Sequence, residues 1–177
     1  MLARRTLLIL LGAALVPFRA RAERYVEPEE AARLIFPDAE EIIPFQAELT
    51  KEQAAAVKKQ SGMRVRQRRI EGFDMHGGAS AGRVYVDNVI GKHEYITYAA
   101  GIDAAGAVRG VEIIEYRETW GFEIRELKWR AQFAGRTTED PVKLGKDIEN
   151  ISGATLSCRN VTDGVRRLLA TDAVLTS

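Results

Sequence analysis

A single cysteine, Cys158, in 177 residues leaves this chain no intramolecular disulfide. The thiol is expected in the first turn of the last helix, partly buried as a small apolar group. Histidine is nearly as scarce. His76 and His93 stand 17 residues apart, and no Cys or carboxylate pattern supports them as a structural zinc site. The absence of Cys-x-x-Cys-His excludes an attached c-type haem, and no Gly-x-Gly-x-x-Gly follows a strand, so direct NADH binding is not expected. Charge of one sign is also missing, with 26 Lys and Arg against 25 Asp and Glu.

What is present begins with an export signal. Arg4 and Arg5 precede a 13-residue, mostly apolar core, Thr6 to Phe18, and Ala20-Arg21-Ala22 has the form of a cleavage site. The core is shorter than the roughly 20 residues that span a bilayer, and Pro17 interrupts it, so cleavage is expected over retention as an anchor. Arg19 and Arg21 beside the cleavage point keep the anchor as the alternative. Removing residues 1–22 takes away four Arg and no acid, which moves the formal charge from +1 to −3. A mildly acidic exported protein is a poor partner for nucleic acid. Residues 23–177 suffice for one domain with a real core.

Patterning predicts an α+β fold, an antiparallel meander with flanking helices. Glu29 to Phe36 reads as a short helix between Pro28 and Pro37, and Thr50-Lys51-Glu52-Gln53 has the form of a capping box opening a helix to about Gln60, with Gly62 after it. Alternation then predicts strands at Met63–Arg68, Gly82–Ile90, Glu94–Ile102 and Val108–Tyr116, with a turn at Asp103–Gly106. Arg64, Arg66 and Arg68, with Arg69 alongside, read as a solvated strand face, with docking of an acidic electron-transfer partner as the alternative. Gly121 to Ala134 is predicted helical, with Ile124, Leu127, Ala131 and Ala134 on one face and Gly135 as its stop.

The most informative stretch is Ser152-Gly153-Ala154-Thr155, four small residues ahead of a segment whose Val161, Val165, Leu168 and Leu169 repeat at helical spacing. Ser157 is the expected N-cap, placing Thr155 just before the helix. A helix start offers unpaired N–H groups and the positive end of the macrodipole. Small residues there let the backbone approach an anion, and a phosphate is the natural guest.

The string Asn150-Ile-Ser-Gly-Ala-Thr-Leu-Ser157, preceded by Gly110–Thr119 and Gln132–Gly135, resembles the FMN-binding domain of the Rnf complex G subunit and of the sodium-pumping NADH:quinone oxidoreductase C subunit. Ala32 to Phe45 resembles the family's segment around a Phe-Pro, so the likeness extends over nearly all of residues 23–177. The resemblance implies FMN joined by a phosphodiester to Thr155, with Ser152, Gly153, Ala154, Leu156 and Ser157 around it and Glu118, Thr119, Trp120 and Gly121 in a loop beside the flavin. It also implies maturation by a separate flavin transferase that uses FAD as donor. Where relatives often have Asp three residues before the motif's serine, this chain has Glu149, and Trp120, Phe122 and Glu123 stand where the facing loop of relatives has Pro, Leu and its second Gly. Trp120, Phe122, Tyr95 and Tyr98 are candidates to stack on the ring, with a core or strand-face role competing for all but Trp120. His93 with Glu94 is a candidate for proton transfer.

These readings predict an extracytoplasmic flavoprotein that carries electrons between membrane or periplasmic redox proteins and is not a stand-alone enzyme. A non-catalytic flavin-binding or sensory module reporting to a membrane partner is the alternative. N-terminal sequencing of the exported protein should begin at Glu23; recovery of Met1 in the membrane fraction would show an anchored form.

Overall fold

The computed structural model describes residues 23–78 and 81–177, so the expected leader from Met1 to Ala22 lies outside the described residues. The chain enters through a two-residue edge strand, β1 (Glu23–Arg24), and turns into helix α1 (Pro28–Ile35). Pro28 needs no donor at the helix start, and Glu29 and Glu30 face the positive end of the dipole. β2 (Glu41–Glu48) leads to α2 (Lys51–Ser61). The capping box forms: Gln53 N–H donates to Thr50 Oγ1 at 3.1 Å, and Thr50 N–H donates to Gln53 Oε1 at 2.9 Å.

Next come β3 (Arg69–His76), β4 (Gly82–Ile90), β5 (Tyr95–Asp103) and β6 (Val108–Tyr116). All six strands form one antiparallel sheet in the order β1-β6-β5-β4-β3-β2. The predicted α+β meander is therefore present, and the predicted strands at 82–90 and 108–116 coincide with β4 and β6. The β5–β6 turn closes with the Asp103 carboxylate accepting the N–H groups of Ala105 and Ala107, both at 3.0 Å.

Two expectations are corrected. Met63–Arg68 is an irregular connection, and the strand that follows α2 is β3, which pairs along its length with β2. The alternation of arginines mimics a strand, but pairing follows Ile70, Phe73 and Met75, which have apolar surface to bury. Arg68 and Arg69 reach Glu48 and Glu71 at 3.4 and 2.6 Å. The second correction concerns Gly121–Ala134, which is no continuous helix. It breaks into a 3-10 turn (Phe122–Arg125), one turn of helix α3 (Leu127–Arg130) and another 3-10 turn (Ala131–Phe133), because Glu126 is extended at ψ 134°. Ile124, Trp129 and Phe133 go inward while Leu127 is exposed.

The last helix, α4 (Thr155–Thr176), has 22 residues, about 33 Å at 1.5 Å per residue. It lies across one sheet face, and α1 covers the other. Period-two alternation sends Tyr85, Tyr98, Ala100, Ile102 and Ile113 toward α4, and Val84, Ala99 and Ile114 toward α1. The predicted stripe of Val161, Val165, Leu168 and Leu169 is buried, each side chain contributing roughly 1.5–3 kcal/mol. Cys158 joins this core with no exposure, more deeply than expected, and burial pushes its thiol above the ordinary value. α2 packs on the flank of α4 through Leu49, Val57 and Ala170. Among the described residues no helix is long and apolar enough to cross a membrane.

Thr50→Ala removes the acceptor of the α2 capping box. It should cost about 1 kcal/mol and lower the melting temperature by roughly 2–4 °C, while Thr50→Ser should match the parent in denaturant unfolding.

Candidate functional site

The segment before α4 is tied down residue by residue. Asp147 accepts the N–H groups of Val142 and Lys143 at 3.0 and 2.7 Å, closing a turn, and Ile148 is buried behind it. Glu149 donates its N–H to Gln132 Oε1 at 2.7 Å, and its carbonyl accepts the Trp129 indole N–H at 2.8 Å. The Ile151 carbonyl takes the Ala154 N–H at 3.0 Å. Between these anchors Ser152 and Gly153 are exposed, and Gly153 has φ 85°. That left-handed conformation is cheap only for glycine, and nothing stands within 4 Å of where its Cβ would be.

Thr155 is the first residue of α4 and is exposed, while Ala154 occupies the cap position. This overturns Ser157 as N-cap. Ser157 lies inside the first turn, buried, with its hydroxyl 3.2 Å from that of Tyr116. The helix can begin three residues earlier because Ala154 fits under Gly121, where a Cβ would stand 2.8 Å from both Ala154 Cβ and the Tyr116 hydroxyl. Thr155 Oγ1 accepts from Asn150 Nδ2 at 3.1 Å.

The facing wall is the loop after β6. The Tyr116 hydroxyl donates to the Trp120 carbonyl, so one side chain joins this loop to the first turn of α4. Burial pushes the Tyr116 phenol up, and the nearby Glu118, Cys158 and Glu123 reinforce this against the Ser157 hydrogen bond. Glu118 Oε1 accepts the N–H groups of His93 at 2.5 Å and Glu94 at 3.0 Å. Partial burial alone would raise this carboxyl, but backbone N–H groups of Glu94, His93 and Lys92 outweigh it and hold the group below its ordinary value. Asn160 on α4 ties the same hairpin by donating to the Ile90 carbonyl at 2.6 Å.

Together these parts enclose a cleft of about 430 Å³ lined by Lys92, His93, Glu118, Thr119, Trp120 and Gly153 to Ser157. Of the residues singled out in the sequence, Ala154, Leu156 and Ser157 line it with Thr155, and Thr119 lines it with Glu118. Gly121 lies beneath it and Ser152 outside its lining. Trp120 is 79% exposed. Tyr98 is overturned as a ring partner: it is fully buried and donates to Asp87 at 2.8 Å. Tyr95 faces a different groove beside Arg66 and Arg69, and Phe122 is exposed outside the cleft lining. His93 does reach the cleft. Sequence reasoning missed Lys92, Asn150 and Tyr116, because a lysine in a hairpin, an asparagine in a loop and a tyrosine ending a strand carry no signal until the fold brings them together. A larger depression of about 690 Å³ lies at the other end of α4. Two of its lining side chains are paired, Arg83 with Asp74 at 2.7 Å and Asp172 with the Tyr85 hydroxyl at 2.6 Å, and it holds none of the motif residues.

The donors around Thr155 suit a phosphate ester. They are the open N–H groups of the helix start and the Asn150 amide, with Lys92 among the residues that line the same cleft. The exposed indole of Trp120 offers a flat face at the rim. Residues 91–170 match the FMN-binding domain family, a stretch that includes every residue lining the cleft and is shorter than the likeness read from sequence. No curated protein matches the chain.

Glu118→Gln keeps an acceptor but loses the charge, and should cost about 1 kcal/mol at pH 7. A carboxyl held below its unfolded value contributes stability above that value, roughly pH 4.3, and loses it as pH falls through the folded value. Urea unfolding of both proteins should therefore show a gap at pH 7 that closes in acid.

Proposed function

On the premise that residues 91–170 form an FMN-binding domain and the chain is a flavin-binding protein, we propose that it carries FMN as a phosphodiester on Thr155 and serves as an extracytoplasmic electron carrier. The observation that carries this reading is the exposed Thr155 at the start of α4, in an open cleft that Lys92 also lines. Bound FMN supplies one- and two-electron redox chemistry that no side chain can.

The protein's part is placement. Gly153 keeps the approach to Thr155 open, and the first turn of α4 offers N–H groups and the positive end of its dipole to phosphate oxygens. Lys92, which lines the same cleft, adds a positive charge to it. Tyr116 and Glu118 hold the backbone of the Trp120 loop and of the 91–94 hairpin in register with the helix. A threonine hydroxyl is a poor nucleophile without a base. The hydrogen-bond partner of Thr155 Oγ1 is Asn150, which has no basic group. Attachment therefore calls for a flavin transferase. Covalent retention suits a compartment where released FMN would be diluted, in keeping with the export signal read from residues 1–22. Electrons are then exchanged with membrane or periplasmic redox proteins, the cleft being open to solvent beside Trp120.

Co-expression with a flavin transferase, followed by intact mass and in-gel fluorescence, tests the site. The wild type should gain the mass of one FMN less one water. Thr155→Val should gain nothing while folding normally, and Thr155→Ser should be partly modified. Ser152→Ala should be mild because that residue lies outside the cleft lining, and Gly153→Val should block modification and strain the turn at φ 85°. A wild type that stays unmodified, or an adduct on Thr155→Val, would overturn the assignment.

A further inference from the structure

We propose that Asn150 is the positioning residue for ester formation at Thr155, its carboxamide fixing the direction in which Oγ1 presents itself to the cleft. The inference rests on the reading that Thr155 is the esterified residue. Asn150 Nδ2 donates to Thr155 Oγ1 at 3.1 Å, and its backbone is anchored on both sides: Glu149 through both of its main-chain groups, Ile151 through its carbonyl. The polar contact to Thr155 Oγ1 thus comes from Asn150, next to the exposed Glu149.

Both partners in this bond are exposed, so water replaces it at small cost and it adds little to folding. Its effect is orientational. A threonine has few χ1 choices, and a donor on one lone pair of Oγ1 selects among them while leaving the other lone pair and the proton free. In the transfer step Oγ1 bonds to the flavin-side phosphorus of FAD, and the pyrophosphate P–O bond to the AMP half breaks. AMP departs with that electron pair, and the hydroxyl proton passes to a base of the transferase or to water. Nothing is oxidised or reduced. Fixing the attacking oxygen lowers the barrier by pre-paying orientation. The phosphoryl oxygens brought beside Oγ1 are anionic and are stronger acceptors than a hydroxyl. A neutral N–H donor at position 150 therefore helps, and a carboxylate there opposes.

The test follows intact mass over time for purified unmodified protein incubated with flavin transferase and FAD. Asn150→Ala should slow adduct formation roughly tenfold, the equivalent of about 1.4 kcal/mol in the barrier. Asn150→Asp, nearly the same shape without the donor, should be slowed at least as much. Thermal melts of both unmodified variants should superimpose on the wild type. Modification of Asn150→Asp at the wild-type rate, or of both variants at that rate, overturns the proposal. So does a lowered melting temperature accompanying the slower rate, which would make the residue structural. A Thr155→Val control run alongside separates the two levels: an adduct on it, or none on the wild type, defeats the ester reading itself and not the role of Asn150.

Discussion

The contact between Ala154 and Gly121 is the constraint on which the rest of the site depends. Two backbones meet where neither tolerates a larger side chain, a Cβ on Gly121 standing 2.8 Å from Ala154 Cβ. That approach sets where α4 begins, and so where the free N–H groups of its first turn and the Thr155 hydroxyl emerge. Tyr116 locks the arrangement by bonding to Ser157 on the helix and to the Trp120 carbonyl on the loop. Burial of the other face of α4 against Tyr98, Ile113 and Phe133 supplies the free energy that keeps the two segments pressed together.

Around that contact the polar groups divide the labour. Glu118 spends its charge on backbone N–H groups of the 91–94 hairpin, so it organises the cleft wall and is not free to repel an anion at full strength. Lys92 and the helix start are left as the positive features of the cleft. Away from the site, Arg167 pairs with Asp87, which also accepts from Tyr98, and Arg130 pairs with Glu112 at 2.5 Å. The cleft differs from these in offering donors that no internal acceptor uses up.

How far the fold could be read depended on whether a local signal competed with a nonlocal one. The Thr50 capping box, β4, β6 and the buried stripe of α4 were legible because local propensity and burial point the same way. Met63–Arg68 was misread because its alternation is of arginines, whereas strand pairing follows apolar burial, which favours β3. The region after Gly121 was misread because helical spacing of Ile124 and Leu127 says nothing of Glu126 turning extended, which lets Trp129 reach the Glu149 carbonyl.

The sequence by itself determined the chemistry at the site's centre: small residues, a hydroxyl and a helix start adjacent along the chain, a combination that needs no long-range contact to suit a phosphate. Tertiary structure alone decided what surrounds it. Lys92, the loop from Glu118 to Trp120, and Thr155 are far apart in sequence and share one cleft only because β5 and β6 pair in register and α4 packs across them. Strand pairing and helix docking are nonlocal choices made by burial over the whole chain, so neither the meeting of Lys92 and Thr155 in one cleft nor the burial of Ser157 and Tyr98 is written in any short stretch of residues.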